Sequence, residues 1–165
     1  MLGAFADDGK FTAQSVAPGR YLITARTEPR VADASLYMAG RAVVEVGTTD
    51  VEGVVVTLQP TVVVTGRLAP LQGGPLGTNP IQVSVEPVDR LDGAPRAVRA
   101  AADGRFTLRG VVPGRYRIRL ASASSAPIPW IVQALDVQKR ELPDQILEIS
   151  AGAGPTEVVV HVGTR

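Results

Sequence analysis

The chain has 165 residues, 45% of them apolar and 20% charged, and its seventeen basic and sixteen acidic residues leave a net charge of +1. That balance supplies a packed core and excludes a disordered chain. Singly scattered charges offer no electrostatic footprint for nucleic acid or anionic lipid. Cysteine is absent, which removes disulfides, thiolate metal sites and cysteine nucleophiles together. No run approaches the roughly 18 apolar residues of a membrane helix, so membrane insertion is not expected. Met1-Leu2-Gly3-Ala4-Phe5 runs straight into Asp7-Asp8 and does not read as a signal peptide.

Seventeen glycines and thirteen prolines, set between short Val/Ile/Leu/Thr runs, predict short strands and many turns, hence an all-β chain. In chain order, strands are expected at 10–16, 20–27, 40–46 and 51–58, with loops at 28–30 and 31–38. Leu58-Gln59-Pro60-Thr61-Val62 reads as a joint, stiffened by a proline that withdraws one backbone donor. A strand at 61–68 follows, in which Gly66 suits a bulge or a close backbone approach. Residues 69–80 form a Gly/Pro-rich loop. The stretch Ile81-Gln82-Val83-Ser84-Val85-Glu86 then alternates apolar and polar, as a sheet with one wet face requires. A short strand is expected at 96–101, and closing strands at 130–137, 145–149 and 156–162.

The most informative stretch is Asp103-Gly104-Arg105-Phe106-Thr107-Leu108-Arg109-Gly110-Val111-Val112-Pro113-Gly114-Arg115-Tyr116. It reads as a β-hairpin: Asp-Gly makes a tight turn, Phe106 and Leu108 share one strand face, and Pro113-Gly114 fits the centre of a type II turn. Asp8-Gly9-Lys10-Phe11 to Pro18-Gly19-Arg20-Tyr21 repeats it, each position of the second copy lying 95 residues after its counterpart (Asp103 against Asp8, Tyr116 against Tyr21). Two domains are therefore expected, 1–60 and 61–165, the first incomplete. Alignment of the copies predicts that the first is short of about 35 residues at its front, so that the native polypeptide would begin before Met1.

The pattern Asp-Gly-x-Phe-x-Leu-x-Gly-Val-x-Pro-Gly-x-Tyr, intact at 103–116 and with departures at Ala13 and Ser15 in the first copy, resembles the carboxypeptidase regulatory-like domains. Thr65-Gly66-Arg67-Leu68 followed by Ile81-Gln82-Val83 looks like the opening strands of such a domain. The resemblance implies tandem Greek-key β-sandwiches of the prealbumin (transthyretin-like) kind, covering 61–162 as a whole domain and 1–60 as the back part of another. It also implies a non-catalytic structural or interaction module of a larger bacterial secreted or envelope protein, located outside the cell or in its envelope, with neighbouring domains of the parent polypeptide as partners. Alternatives are a carbohydrate-binding accessory module, with a carbohydrate or protein ligand, or a domain attached to a zinc carboxypeptidase elsewhere in the parent chain.

The residues themselves argue against catalysis. A catalytic zinc needs about three protein ligands, usually with two or more histidines, and this chain has one, His161. His161 lies on the opposite strand face from Val160 and Val162, and a surface position is expected. No Gly-x-Ser-x-Gly elbow accompanies it. Turn-making accounts for Asp7-Asp8-Gly9 and Asp103-Gly104 better than calcium does, because the carboxylates are too few. No enzyme activity, cofactor or metal is expected. Trp130 and Tyr37 are the candidate ligand residues, as aromatics able to stack on a sugar ring. Tyr21 and Tyr116 are expected at sandwich corners, their hydroxyls tied to backbone.

Overall fold

A computed structural model describes residues 4–5, 8–27, 37–88, 96–124, 127–152 and 154–164, and over these it is all-β. The strands are β1 Ala4–Phe5, β2 Phe11–Thr12, β3 Gly19–Arg26, β4 Met38–Val46, β5 Gln59–Pro60, β6 Val62–Pro70 and β7 Ile81–Pro87. They continue with β8 Arg96–Arg99, β9 Arg105–Val111, β10 Gly114–Ser122, β11 Trp130–Val137, β12 Arg140–Glu141, β13 Ile146–Ile149 and β14 Thr156–Thr164.

Residues 62–164 form two sheets. One has the order β13-β10-β7-β8 and is antiparallel throughout. The other has the order β12-β11-β14-β6-β9, with β14 and β6 as its one parallel pair. Both sheets contribute to a single core: Val83, Val85, Ile118 and Leu147 from the first, Val64, Leu108, Leu135 and Val160 from the second. Alternation produces this directly, because every second residue of a strand points to the same face. The buried positions of β9 and β14 follow that period.

The 103–120 stretch is not a hairpin. Its two strands belong to different sheets, β9 pairing with β6 and β10 with β7 and β13. Gly110, at φ +67, lies inside β9 where its ladder with β6 shifts register between Val62 and Val64; the chain crosses between sheets at Val112-Pro113, and Gly114 at φ 157 opens β10 in a nearly extended conformation in place of a type II turn. Tyr116 then anchors the corner, its hydroxyl donating to the carbonyl of Val112 at 2.6 Å. The first copy repeats these devices. Ser15 takes φ 57 where the second copy has Gly110, and the Tyr21 hydroxyl donates to the Ala17 carbonyl at 2.8 Å. Asp8 and Asp103 each accept a hydrogen bond from the backbone N–H two residues on, at 3.0 Å, around glycines of φ +80 and +82. The Lys10 ammonium, 2.8 Å away, and the Lys10 N–H hold the Asp8 carboxyl below its ordinary value of 3.8.

The two corners differ in burial, and their tyrosines should respond differently. Tyr116 is 5% exposed and Tyr21 37%. Tyr116→Phe leaves the Val112 carbonyl short of a partner in a dry site, and is expected to lower stability by about 1–2 kcal/mol; Tyr21→Phe, at a wet site, by less than about 0.5 kcal/mol. Urea denaturation of the two variants checks the difference, and equal losses would contradict it.

The first copy is organised more sparely. Of the strand expected at 10–16 only Phe11–Thr12 forms, paired with Ala4–Phe5. β4 begins at Met38, inside the stretch expected as loop, while 28–36 lie outside the described residues. The strand expected at 51–58 joins no ladder among the described residues. Registers explain how the copies correspond. Gly19, Arg20 and Tyr21 pair with Val46, Glu45 and Val44, as Gly114, Arg115 and Tyr116 pair with Ile149, Glu148 and Leu147. At its other end β4 pairs Met38 and Ala39 with Pro60 and Gln59, as Trp130 and Ile131 pair with Thr164 and Gly163. One strand thus stands where the second copy has both β11 and β13.

Candidate functional site

Two places gather the residues singled out from sequence: the joint between the copies, and a cleft beside Trp130.

At the joint the chain leaves the β4·β5 ladder at Pro60 and enters β6 at Val62, so Thr61 alone separates them. Thr61 is buried. Its N–H donates to the Tyr37 carbonyl at 3.0 Å, and its Oγ1 accepts from the Tyr37 N–H at 3.3 Å. Tyr37 then reaches into the second copy, where its hydroxyl donates to the Gly110 carbonyl at 3.2 Å. Arg41 lies further along the same strand direction. Its Nη2 donates to the Pro113 carbonyl at 3.2 Å, and its guanidinium carbon stands 5.9 Å from the centre of the Tyr116 ring, within cation–π range. These contacts land on the corner that carries the chain between the sheets of the second copy. A side chain would crowd both contacts: a Cβ on Gly110 would lie 2.7 Å from Tyr37 Cε1, and one on Gly114 would displace Arg41 Nη2.

The cleft lies between β10 and β11, where the two sheets part. Arg117 to Leu120, Trp130 to Val132 and the turn at Asp144-Gln145 line about 240 Å³. Trp130 is half-buried against the core, and its indole N–H donates to the Leu76 carbonyl at 2.8 Å. Arg119 Nε lies 3.2 Å from Glu86 Oε2. Gln145, in a left-handed conformation at φ 54, ties the sheets together by donating from Nε2 to the Gln133 carbonyl at 2.8 Å. Residues of β10, β11 and the turn before β13 thus line one shallow open space, with Arg117 and Arg119 alternating along β10 with the core residues Ile118 and Leu120.

The two candidate ligand residues are not brought together. Trp130 lines the cleft, whereas Tyr37 is not among its lining residues and packs at the joint. His161 points away from the core, half-buried, with Nε2 2.8 Å from Asp136 Oδ2 on the neighbouring strand. That pairing is diagonal across β11 and β14, where the ladder shifts register between Val132 and Ala134, which hides it from a reading of either strand alone. Arg41 was also missed, since a lone arginine in a strand reads as a solvated outer residue. Among the described residues no three His, Asp or Glu side chains converge on one point. Compared with known protein families, with curated proteins and with solved structures, the chain finds no match.

Proposed function

We propose that the chain is a non-catalytic structural and interaction module: tandem sandwiches of the Greek-key, prealbumin-like kind, the first incomplete, working within a larger bacterial secreted or envelope protein. The observation that supports this reading is the one-residue joint, with Thr61 held on both sides by Tyr37. A flexible linker lets neighbouring domains sample many orientations. Here the backbone passes from one ladder to the next with no free segment, and Tyr37 and Arg41 fasten the far side. The consequence is a fixed distance and angle between the copies, which suits a spacer that presents end loops to neighbouring domains.

A carbohydrate-binding reading is the second, favoured by Trp130 beside Arg117 and Arg119 in the cleft. Against it, carbohydrate sites stack sugar on an open aromatic face, and Trp130 is held half-buried with its donor already used. Trp130 is the chain's single tryptophan, so its fluorescence reports on the cleft alone. Titration with neutral and acidic oligosaccharides to millimolar concentration is expected to give no saturable change. A saturable change abolished by Arg117→Ala would replace the spacer reading with the binding one.

A further inference from the structure

β10 has unequal neighbours. It pairs with β7 as far as Ser122, but with β13 only as far as Arg117, opposite Ile146. Beyond that point its edge borders the cleft of about 240 Å³, lined by consecutive residues from Arg117 to Leu120 and from Trp130 to Val132. Consecutive residues point to opposite faces of a strand, so what lines this cleft is backbone edge. The Val88 N–H donates to the Arg115 carbonyl at 3.0 Å, which marks the odd-numbered residues of β10 as those whose backbone groups face β7. The N–H and C=O of Leu120 therefore face the cleft. The opposite wall is closed, because the β11 carbonyls of Gln133 and Leu135 accept from Gln145 Nε2 and from the Leu142 N–H. Arg115, Arg117 and Arg119 stand in a row on the exposed face of β10. Arg115 has Glu148 of β13 at 3.4 Å. Glu86, opposite Arg117 in register, lies 3.2 Å from Arg119 instead, and Arg117 has no ion pair among the described residues.

We propose that this edge of β10 accepts a short, extended acidic peptide, added antiparallel and in line with β13. β13 itself specifies the chemistry of that strand: Leu147 and Ile149 face the core, and Glu148 between them pairs with Arg115 on the wet face. A strand continuing the same line sets an apolar residue opposite Leu120 on the core face, and an acid opposite Arg119 and diagonal to Arg117. Backbone bonds to Leu120 supply affinity and the arginine row supplies the preference for negative charge. A second copy of this chain is a poorer occupant, since antiparallel pairing of two β10 edges about Leu120 brings Arg119 diagonal to its own counterpart. The edge is separate from the joint at Thr61, so the spacer reading and this one stand or fall independently.

The test uses the full chain and a capped synthetic peptide copying residues 145–150, whose Leu147 can stand opposite Leu120 with its Glu148 opposite Arg119. At low ionic strength the peptide is expected to change Trp130 fluorescence saturably and to slow exchange of the Leu120 amide at least about tenfold. The Glu148→Lys form of the peptide should bind at least about threefold more weakly, and Arg119→Glu in the chain should reverse that order. Arg119 is exposed, and the amide spectrum of β6 to β14 reports whether the variant is folded; the two peptides compared on the unaltered chain carry the test without it. Absence of a saturable change up to millimolar peptide, binding that leaves Leu120 exchange unaltered, or equal binding of the two peptides overturns the proposal. So does concentration-dependent protection of Leu120 without peptide, which would make the occupant a second copy.

Discussion

Leu108→Ala is expected to lower the unfolding free energy by about 2–5 kcal/mol, read by urea denaturation of the whole chain. Leu108 is 1% exposed, on β9 directly opposite Val64. Its inward neighbours come from both sheets, so the methyl groups removed leave a space that neither sheet can close without shifting the other. The comparison that gives the value meaning is Val43→Ala in the first copy. Val43 is 48% exposed, and its truncation should stay below about 1 kcal/mol. Similar losses at the two positions would contradict the concentration of the core in residues 62–164.

Gly110→Ala is expected to destabilise by about 2–4 kcal/mol and also to loosen the joint. Two causes combine. The backbone holds φ +67, which costs a residue with a side chain roughly 1–2 kcal/mol. The new methyl would also meet the Tyr37 ring and drive its hydroxyl off the Gly110 carbonyl. Ser15 carries the same left-handed conformation at the matching position of the first copy, so conformation alone does not forbid a side chain there. The excess at Gly110 comes from Tyr37, and Tyr37→Ala should therefore recover part of the loss. Gly110→Ala as damaging with Tyr37 absent as with it present would show that the ring is not the obstacle.

Local chemistry was legible in the sequence and partnership was not. The Asp-Gly turns, the buried alternation of Phe106 and Leu108, the two tyrosine hydroxyls and the close approach at Gly66 follow from residues within a few positions of one another. At Gly66 a Cβ would meet Phe106 Cζ at 2.5 Å and the Val158 carbonyl at 2.7 Å. What misled was the choice of partner strand. Residues 105–111 and 114–122 have the alternation and turn residues of a hairpin, and the same pattern serves a chain that crosses from sheet to sheet, because period two says which face is buried and nothing about which strand lies alongside. The crossing falls at Val112-Pro113, between the end of β9 and the start of β10, beside the residues that read as the turn. Residues 54–58 show the converse case: a strand-like sequence forms no ladder where the partner that its repeat possesses is not among the described strands. Tyr37 looked like a free aromatic because its partner, the Gly110 carbonyl, lies 73 residues away.

The account rests most heavily on the joint at Thr61, and orientation can be measured directly by amide residual dipolar couplings of the whole chain in a dilute aligning medium. One set comes from β3 and β4, the other from β6 to β14. The account predicts that both sets fit a single alignment tensor, with β4 held against the Gly110–Gly114 corner as the Tyr37 and Arg41 contacts require. Two tensors of different magnitude would mean that the copies reorient independently about Thr61, and the fixed spacer would be lost with them.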